Sequence, residues 1–519
     1  MISKITERCV TALSLVICPL ALGLVLVGCS SPQVPASYKD GKALPDIYPD
    51  YVGVTVPVNM APLHFQLMPV NAQTEVVTRF HCGEEEIVCG GRQAMPSVSD
   101  WQRLVAAALK GDATQTKKPM PITVEVFENK TDGWVRHKPF QVSVSPDSID
   151  SWLSYRLISP SYVAFEELTI NQRCLENFDE RVIYNNMLCS EEAEGQCINC
   201  HSYQKGNPNR MQFHARLNHG GTLINYDGKL RKVNLKTDST LSAGVYPAWH
   251  PTLPFIAYST NITRQMFHTL DVNKVEVFDT QSDLILYDLE RNEVINVENS
   301  PQEFEVFPTW SPDGRWLYYC SAHFEQQDTV KFEAELIRRY QDLKYSIYRK
   351  PFDPEKRTFG PSEMVFDAAS QGLSATLPRI SPDGRWLMLS VGSWGCFHIW
   401  HRDADLWIGD VATMEMHPWK EVNSTHTEAY HTWSSNGRWI VFSSRRDDGN
   451  FTRPFFAHVD KDGHATKPFE LPTDNPDRHR QLLKSYNIPE FMLGPVTISP
   501  QSFADALKGE PSQATFVSK

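Results

Sequence analysis

Three observations predict a mainly β chain: a β-propeller of about five to six blades, preceded by a small β-rich domain and a short helical segment carrying a Cys-x-x-Cys-His motif. One pattern occurs four times, as YPAWHPTLPFIAYST (246–260), FPTWSPDGRWLYYCS (307–321), LPRISPDGRWLMLSV (377–391) and YHTWSSNGRWIVFSS (430–444). Each copy is followed by another strand pair, SDLILYDLERNEVINV, YSIYRKPFDPEKRTFG, ADLWIGDVATMEMHPW or PFFAHVDKDGHATKPF. Four strands recurring every 53 to 70 residues fit propeller blades with insertions better than a solenoid. Aromatic residues at 11%, with 35 Pro and 27 Gly, suit a chain of strands and turns.

The N-terminus reads as an export signal. Lys4 and Arg8 precede an apolar run, Val10 to Val27, that ends in Leu-Val-Gly-Cys. Residues 1–29 are expected as a lipoprotein signal peptide cut before Cys29, whose acyl chains would anchor the protein on a membrane. An uncleaved single span is the alternative. SSPQVPASYKDGKALPD is expected as a polar tether over residues 30–46.

Residues 47–146 alternate as strands do in YVGVTVPV, APLHFQLM, EVVTRF, ITVEVFE and FQVSVS. One helix, SDWQRLVAAALKG, is capped by Ser99 or Asp100. Residues 147–219 are expected as a helical and loop segment, opening on a second helix, DSIDSWLSYRLI, and holding CINCH. The propeller is placed at 220–499 and a tail at 500–519. Within the propeller, GGTLINYDGKLRKVNLK (220–236) reads as the outer half of a blade and YNIPEFMLGPVTIS (486–499) as an inner half; joining them would close the ring.

EGQCINCHSYQ carries the chemistry. With 11 Cys and 17 His, a chance C-x-x-C-H is expected on the order of 0.01 times in this chain. It is read as a covalent haem c site: thioethers from Cys197 and Cys200, with His201 as the proximal ligand of the haem iron. Met211, His214 and His219 are the distal candidates, and a thioether ligand would raise the potential. Zinc on Cys189, Cys197, Cys200 and His201 would crowd three ligands into five residues, and a redox dithiol would need a βαβ context. Cys82 with Cys89, and Cys174 with Cys189, are candidate disulfides in an oxidising compartment, while Cys320 and Cys396 read as buried thiols.

The four repeats resemble the TolB-type, WD40-like propeller repeat over about half the chain. The longer series DIYPDYVGVTVPVNMAPL, CINCHSY, SSRRDDGNFTRP and KSYNIPEF resembles the large TolB-like lipoproteins of Bacteroidetes, often described as cytochrome-related. The resemblance implies a propeller in the cell envelope. CINCH is a departure from TolB itself.

A net charge of −12 without a basic stripe argues against nucleic acid. TolB-like repeats also precede peptidase domains, but no Gly-x-Ser-x-Gly elbow occurs here. The loop with Arg445, Arg446, Asp447, Asp448 and Arg453, and His398, His401, His426 and His431, could serve a hydrolase; solvated ion pairs and structural histidines are the simpler reading. The expectation is therefore a non-catalytic, periplasm-facing lipoprotein of the outer membrane that transfers electrons to a partner docked on propeller loops. The competing expectations are an envelope scaffold that binds proteins, and a haem peroxidase or propeller hydrolase.

Overall fold

The computed structural model describes residues 31–110, 119–159, 167–189, 195–327 and 331–518. The expected signal peptide and Cys29 lie outside them, and no helix among the described residues is long and apolar enough to cross a membrane.

The chain is mainly β. Residues from Trp152 onward build six antiparallel sheets of four strands each, numbered here by the order of their innermost strands around a ring. Sheet 1 takes its innermost strand, Ser485–Met492, from near the C-terminus and continues outward through Trp152–Ile158, Thr169–Cys174 and Glu180–Asn185. Sheet 2 runs from Gln196–Tyr203 through Arg210–Leu217 and Gly221–Tyr226 to Lys229–Asn234. Sheets 3 to 6 begin with Val245–Trp249, Glu303–Trp310, Ser374–Ile380 and Glu428–Trp433. None of the sheets closes on itself, and a single bridge, Ser282 to Phe304, links sheets 3 and 4. The innermost strands touch one another in cyclic order, with Ser485–Met492 lying between those of sheets 6 and 2.

The repeated turn explains why sheets 4 to 6 look alike in sequence. In sheet 4, Ser311 Oγ donates to Asp313 at 2.6 Å and accepts from the Trp316 amide at 3.0 Å, while Gly314 takes φ +73°. Ser381 and Asp383 repeat this in sheet 5, Ser434 and Asn436 in sheet 6. An Asx-type side chain and a left-handed glycine lock the hairpin that starts each second strand.

Several expectations change. DSIDSWLSYRLI forms no helix; Trp152–Ile158 is a strand with Leu153 and Tyr155 in the core shared with the N-terminal domain and Trp152 and Ile158 in the core shared with sheet 2, so both its faces are covered and its apolar run carries no clean alternation. Residues 147–219 also hold strands of sheets 1 and 2, so the ring begins near residue 152 rather than 220. The two half-blades do not join each other. Gly221–Tyr226 and Lys229–Asn234 lie outside Gln196–Tyr203, the CINCH strand, whereas Ser485–Met492 pairs with Trp152–Ile158.

The tail is structured too. Pro500–Lys508 is a helix capped by Ser499, which buries Phe503, Ala504 and Leu507 against sheets 1 and 2. Lys232 Nζ closes its other end on Leu507 O at 2.7 Å. Ser512–Gln513 and Thr515–Val517 then add parallel to the outer edges of sheets 2 and 3, covering edges that would otherwise be open.

The N-terminal domain has the five strand regions expected, and its helix is Val98–Lys110. Its cap is Ser97, whose Oγ accepts from the Asp100 amide at 3.1 Å, two to three residues before those expected to cap it. Part of the expected tether belongs to this domain: Lys39–Asp40 pairs beside Val135 and Arg136, and Arg136 holds Asp40 at 2.8 Å. The domain packs on sheet 6 through one apolar core that includes Trp439, Val441, Phe456 and Phe469.

No disulfide forms among the described cysteines. In the hairpin of Val76–Cys82 and Glu85–Gly90, Cys82 faces Glu85 and Cys89 faces Thr78, so the two thiols stand four strand positions apart. Cys174 and Cys189 lie toward opposite ends of the Thr169–Cys174 and Glu180–Asn185 pair.

Candidate functional site

Every innermost strand carries the same fault. Its pairing register shifts at a bulge, and at that point a non-glycine residue adopts positive φ: Cys200 (54°), Tyr246 (49°), Phe307 (54°), Leu377 (54°), Tyr430 (46°) and Ile488 (51°). Such a conformation costs roughly 1–2 kcal/mol per residue, and a β-branched residue such as Ile488 rarely adopts it. Six instances at one level of a ring mark a shared design in which the bulge turns a side chain inward.

The bulges align six tetrads: Cys-His-Ser-Tyr (200–203), Tyr-Pro-Ala-Trp (246–249), Phe-Pro-Thr-Trp (307–310), Leu-Pro-Arg-Ile (377–380), Tyr-His-Thr-Trp (430–433) and Ile-Pro-Glu-Phe (488–491). Together they surround a cavity of about 520 Å³ in which the first, third and fourth positions form three stacked rings. The first positions make an apolar floor. Phe397 closes it from beneath, 6.0 Å from Tyr246 and 6.3 Å from Phe307 between ring centres. The third positions, Ser202, Ala248, Thr309, Arg379, Thr432 and Glu490, form a middle ring that is mostly polar. The fourth positions form an aromatic collar that Ile380 completes. The mouth lies among the turns beyond the strands, at Pro251, Ser311, Pro382, Ser435 and Asp150.

The middle ring holds one cation and one acid. Glu490 accepts from the Tyr203 amide at 3.1 Å; burial raises its carboxyl to about 8, against the pull of Arg379. Arg379 donates through Nη1 to Pro378 O at 2.9 Å and reaches Thr309 Oγ1 at 3.5 Å.

His201 stands at the second position of its tetrad, where proline occupies four of the other five. His431, at the same position in sheet 6, spans to Leu377 O of the preceding sheet at 2.8 Å. His201 approaches the Ile488 backbone of its own preceding sheet in the same sense, but neither ring nitrogen completes a hydrogen bond. Burial, with Arg156 nearby, lowers it to about 3, so it is neutral.

The residues expected to hold haem c are not brought together. Cys200 and His201 line the cavity, but Cys197 does not. Cys197 is paired beside Arg216 and accepts from Asn199 Nδ2 at 3.4 Å. Met211 is buried in the core between sheets 1 and 2, and His214 bonds Thr222 Oγ1 at 3.1 Å; neither lines the cavity. His219 is exposed at a turn, with φ +55°. A haem bonded to both thiols needs the two sulfurs and the imidazole on one face, and an innermost strand enclosed by two neighbours does not present them so. In this fold the residues do not fit the group.

The other expected sites are structural in form. Arg446 pairs with Glu428 at 3.0 Å over Phe442 and Phe455, and His398 bonds Ser390 O at 3.1 Å. His401 meets Glu276 at 3.0 Å beneath the long hairpin of Phe255–Phe267 and Val275–Asp288. No group of three or more His, Cys, Asp or Glu among the described residues could hold a metal ion. The tetrad was the signal available in the sequence: an apolar or aromatic residue, then Pro or His, then, two residues on, an aromatic in five copies and Ile380 in the sixth.

No protein-family model and no curated protein matches the chain. Among solved structures it is similar to TolB from Acinetobacter baumannii, at 12% identity over 76% of this chain and 85% of that one, with a TM-score of 0.40. It is similar to a prolyl endopeptidase at 13% identity, over 62% of this chain and 42% of the other, with a TM-score of 0.35. A DUF4784 family protein from Bacteroides caccae is similar at 9% identity over 83% of this chain and 98% of that one, with a TM-score of 0.29.

Proposed function

We propose that the six sheets are the blades of a propeller and that the protein is a non-catalytic binding protein of the cell envelope, which takes a segment of a partner protein into the mouth of its central cavity. One observation carries this reading: three stacked rings, closed at the floor and open at the turns, offer an aromatic collar above a polar ring. Such a concave, mostly apolar site with few polar groups is the usual form of a ligand pocket. The envelope location rests on the signal-like N-terminus and Cys29.

Photo-crosslinking from Ser435 at the mouth, in cells, tests the proposal. The expected result is a discrete adduct that disappears when Ala248→Trp fills the cavity, while a probe at Lys356 on the outer rim gives none. An adduct that survives Ala248→Trp overturns it.

Haem c on Cys197 and Cys200, with electron transfer to a docked partner, is the second reading, and the incomplete hydrogen bonding of His201 favours it. It requires the strand Gln196–Tyr203 to leave the ring. An alkaline pyridine spectrum of the protein exported with a cytochrome c maturation system decides. A covalent haemochrome lost in Cys197→Ala with Cys200→Ala would establish it, and a folded protein without the band would remove it.

A further inference from the structure

Arg379 makes no ion pair among the described residues, and Glu490 on the same ring acts on it only at longer range. Its Nη1 is spent on Pro378 O and Thr309. Its Nε and Nη2 hold no hydrogen bond, and among the described residues no carboxylate lies within ion-pair distance of it. The acid on the same ring, Glu490, is engaged with the Tyr203 amide. His201, 2% exposed, lines the same cavity with both ring nitrogens short of a hydrogen bond. A guanidinium that lines a cavity with two of its nitrogens unbonded presents a planar fork that matches a carboxylate with two parallel bonds. Thr309 and Thr432 flank the seat with hydroxyls, and Trp310, Trp433 and Phe491 wall it with apolar surface.

We propose that the ligand of this cavity carries a carboxylate next to an aromatic group, with the carboxylate seated on Arg379. The inference rests on reading the cavity as a binding site and adds the chemistry of what binds. The carboxylate can come from an acidic side chain of a polypeptide or from a free acid, and two matched pairs of probes separate these sources. Acetyl-Phe-Glu-Phe-amide is compared with acetyl-Phe-Gln-Phe-amide, and phenylacetate with phenylacetamide. Each is titrated at pH 6.5 into residues 31–519, followed by intrinsic tryptophan fluorescence, to which Trp249, Trp310 and Trp433 at the cavity contribute.

The charged member of at least one pair is expected to bind about tenfold more tightly than the neutral one, as a charge-assisted hydrogen-bonded pair should. In Arg379→Gln that ratio is expected to fall to about one. The pair with the larger affinity names the source. Equal affinities within both pairs would overturn the carboxylate while leaving a binding cavity in place. Failure of all four probes to bind at concentrations up to about 10 mM would overturn it as well, and the crosslink from Ser435 would still report separately on the partner. The comparison within the wild-type protein stands even if Arg379→Gln does not fold.

Discussion

Replacing Glu490 by Gln isolates one acid that the fold holds against its ordinary behaviour. Its folded carboxyl titrates at about 8 rather than 4.5, because burial outweighs Arg379. The folded state therefore keeps a proton that the unfolded chain has already lost. Stability from this group is fully present below pH 4.5 and is lost as pH rises through 8. At 1.36 kcal/mol per unit, the ceiling is about 5 kcal/mol. Water entering the cavity mouth solvates the ionised form, so about 2 kcal/mol is the expected size. Unfolding a body of roughly 480 residues carries an entropy of about 1 kcal/mol/K, so the melting temperature should move by about 2–5 °C. Gln keeps an acceptor for the Tyr203 amide but cannot ionise. Scanning calorimetry of both proteins from pH 5 to 9 should show the wild type losing about 2–5 °C relative to Glu490→Gln between pH 5 and 8, with no further change above pH 8. The other acids raised by burial, Glu305 (about 8), Asp279, Asp447 and Glu470 (about 7), Asp283 and Asp405 (about 6) and Asp150, act in both proteins and cancel in the difference. A difference that does not change with pH would refute the reasoning.

Truncation after Lys484 removes the innermost strand of sheet 1, with Tyr486, Phe491 and Met492 buried on it, and should abolish cooperative unfolding; ending the chain after Glu510 removes only two edge strands and should preserve it, as circular dichroism melts will show. Residues 31–519 should titrate eight thiols in denaturant without reductant, and reductant should leave the melting temperature unchanged. Ser381→Ala removes the acceptor of the Trp386 amide and the donor to Asp383, and should cost about 1–2 kcal/mol in urea unfolding.

The sequence made sheets 3 to 6 legible because a hairpin between first and second strands needs a turn, and three of the four use the same Ser-x-Asp/Asn-Gly chemistry. Sheet 3 substitutes His250, whose Nδ1 accepts from the Thr252 and Leu253 amides, and keeps the tetrad before it. Sheets 1 and 2 escaped for local reasons. The innermost strand of sheet 1 pairs with a strand more than 300 residues earlier, so no hairpin follows it and no turn signal exists. In sheet 2 the turn is a short helical one through Lys205, at φ +48°, and Gly206. There the Cys-x-x-Cys-His spacing points to a cofactor, while the strand that holds these five residues is also the innermost one of its sheet. The cavity was harder still to foresee. Arg379 and Glu490 are 111 positions apart and line one cavity only because sheets 5 and 1 share a ring.

That equivalence has a sharp consequence at His201. If Cys-His-Ser-Tyr is a copy of the tetrad, its second position should accept the residue that four other copies carry, so His201→Pro should fold. Proline lacks an amide hydrogen and fixes φ, which normally excludes it from an inner strand. At this bulge the pairing register skips residues 200 and 201, so the ladder loses no bond there. His201 also brings no completed side-chain hydrogen bond to forfeit. The expected melting temperature lies within about 3 °C of the wild type, since little apolar area changes and the shift per kcal/mol is small for a body of this size. Pro placed one residue further on, Ser202→Pro, replaces a residue paired with Gln212 and should cost about 3 kcal/mol or more. Were His201 an iron ligand, His201→Pro would instead release the group it binds and destabilise the fold that depends on it. Equal damage from His201→Pro and Ser202→Pro would show that the tetrad alignment is wrong and that residues 197 to 201 answer to a constraint other than the ring.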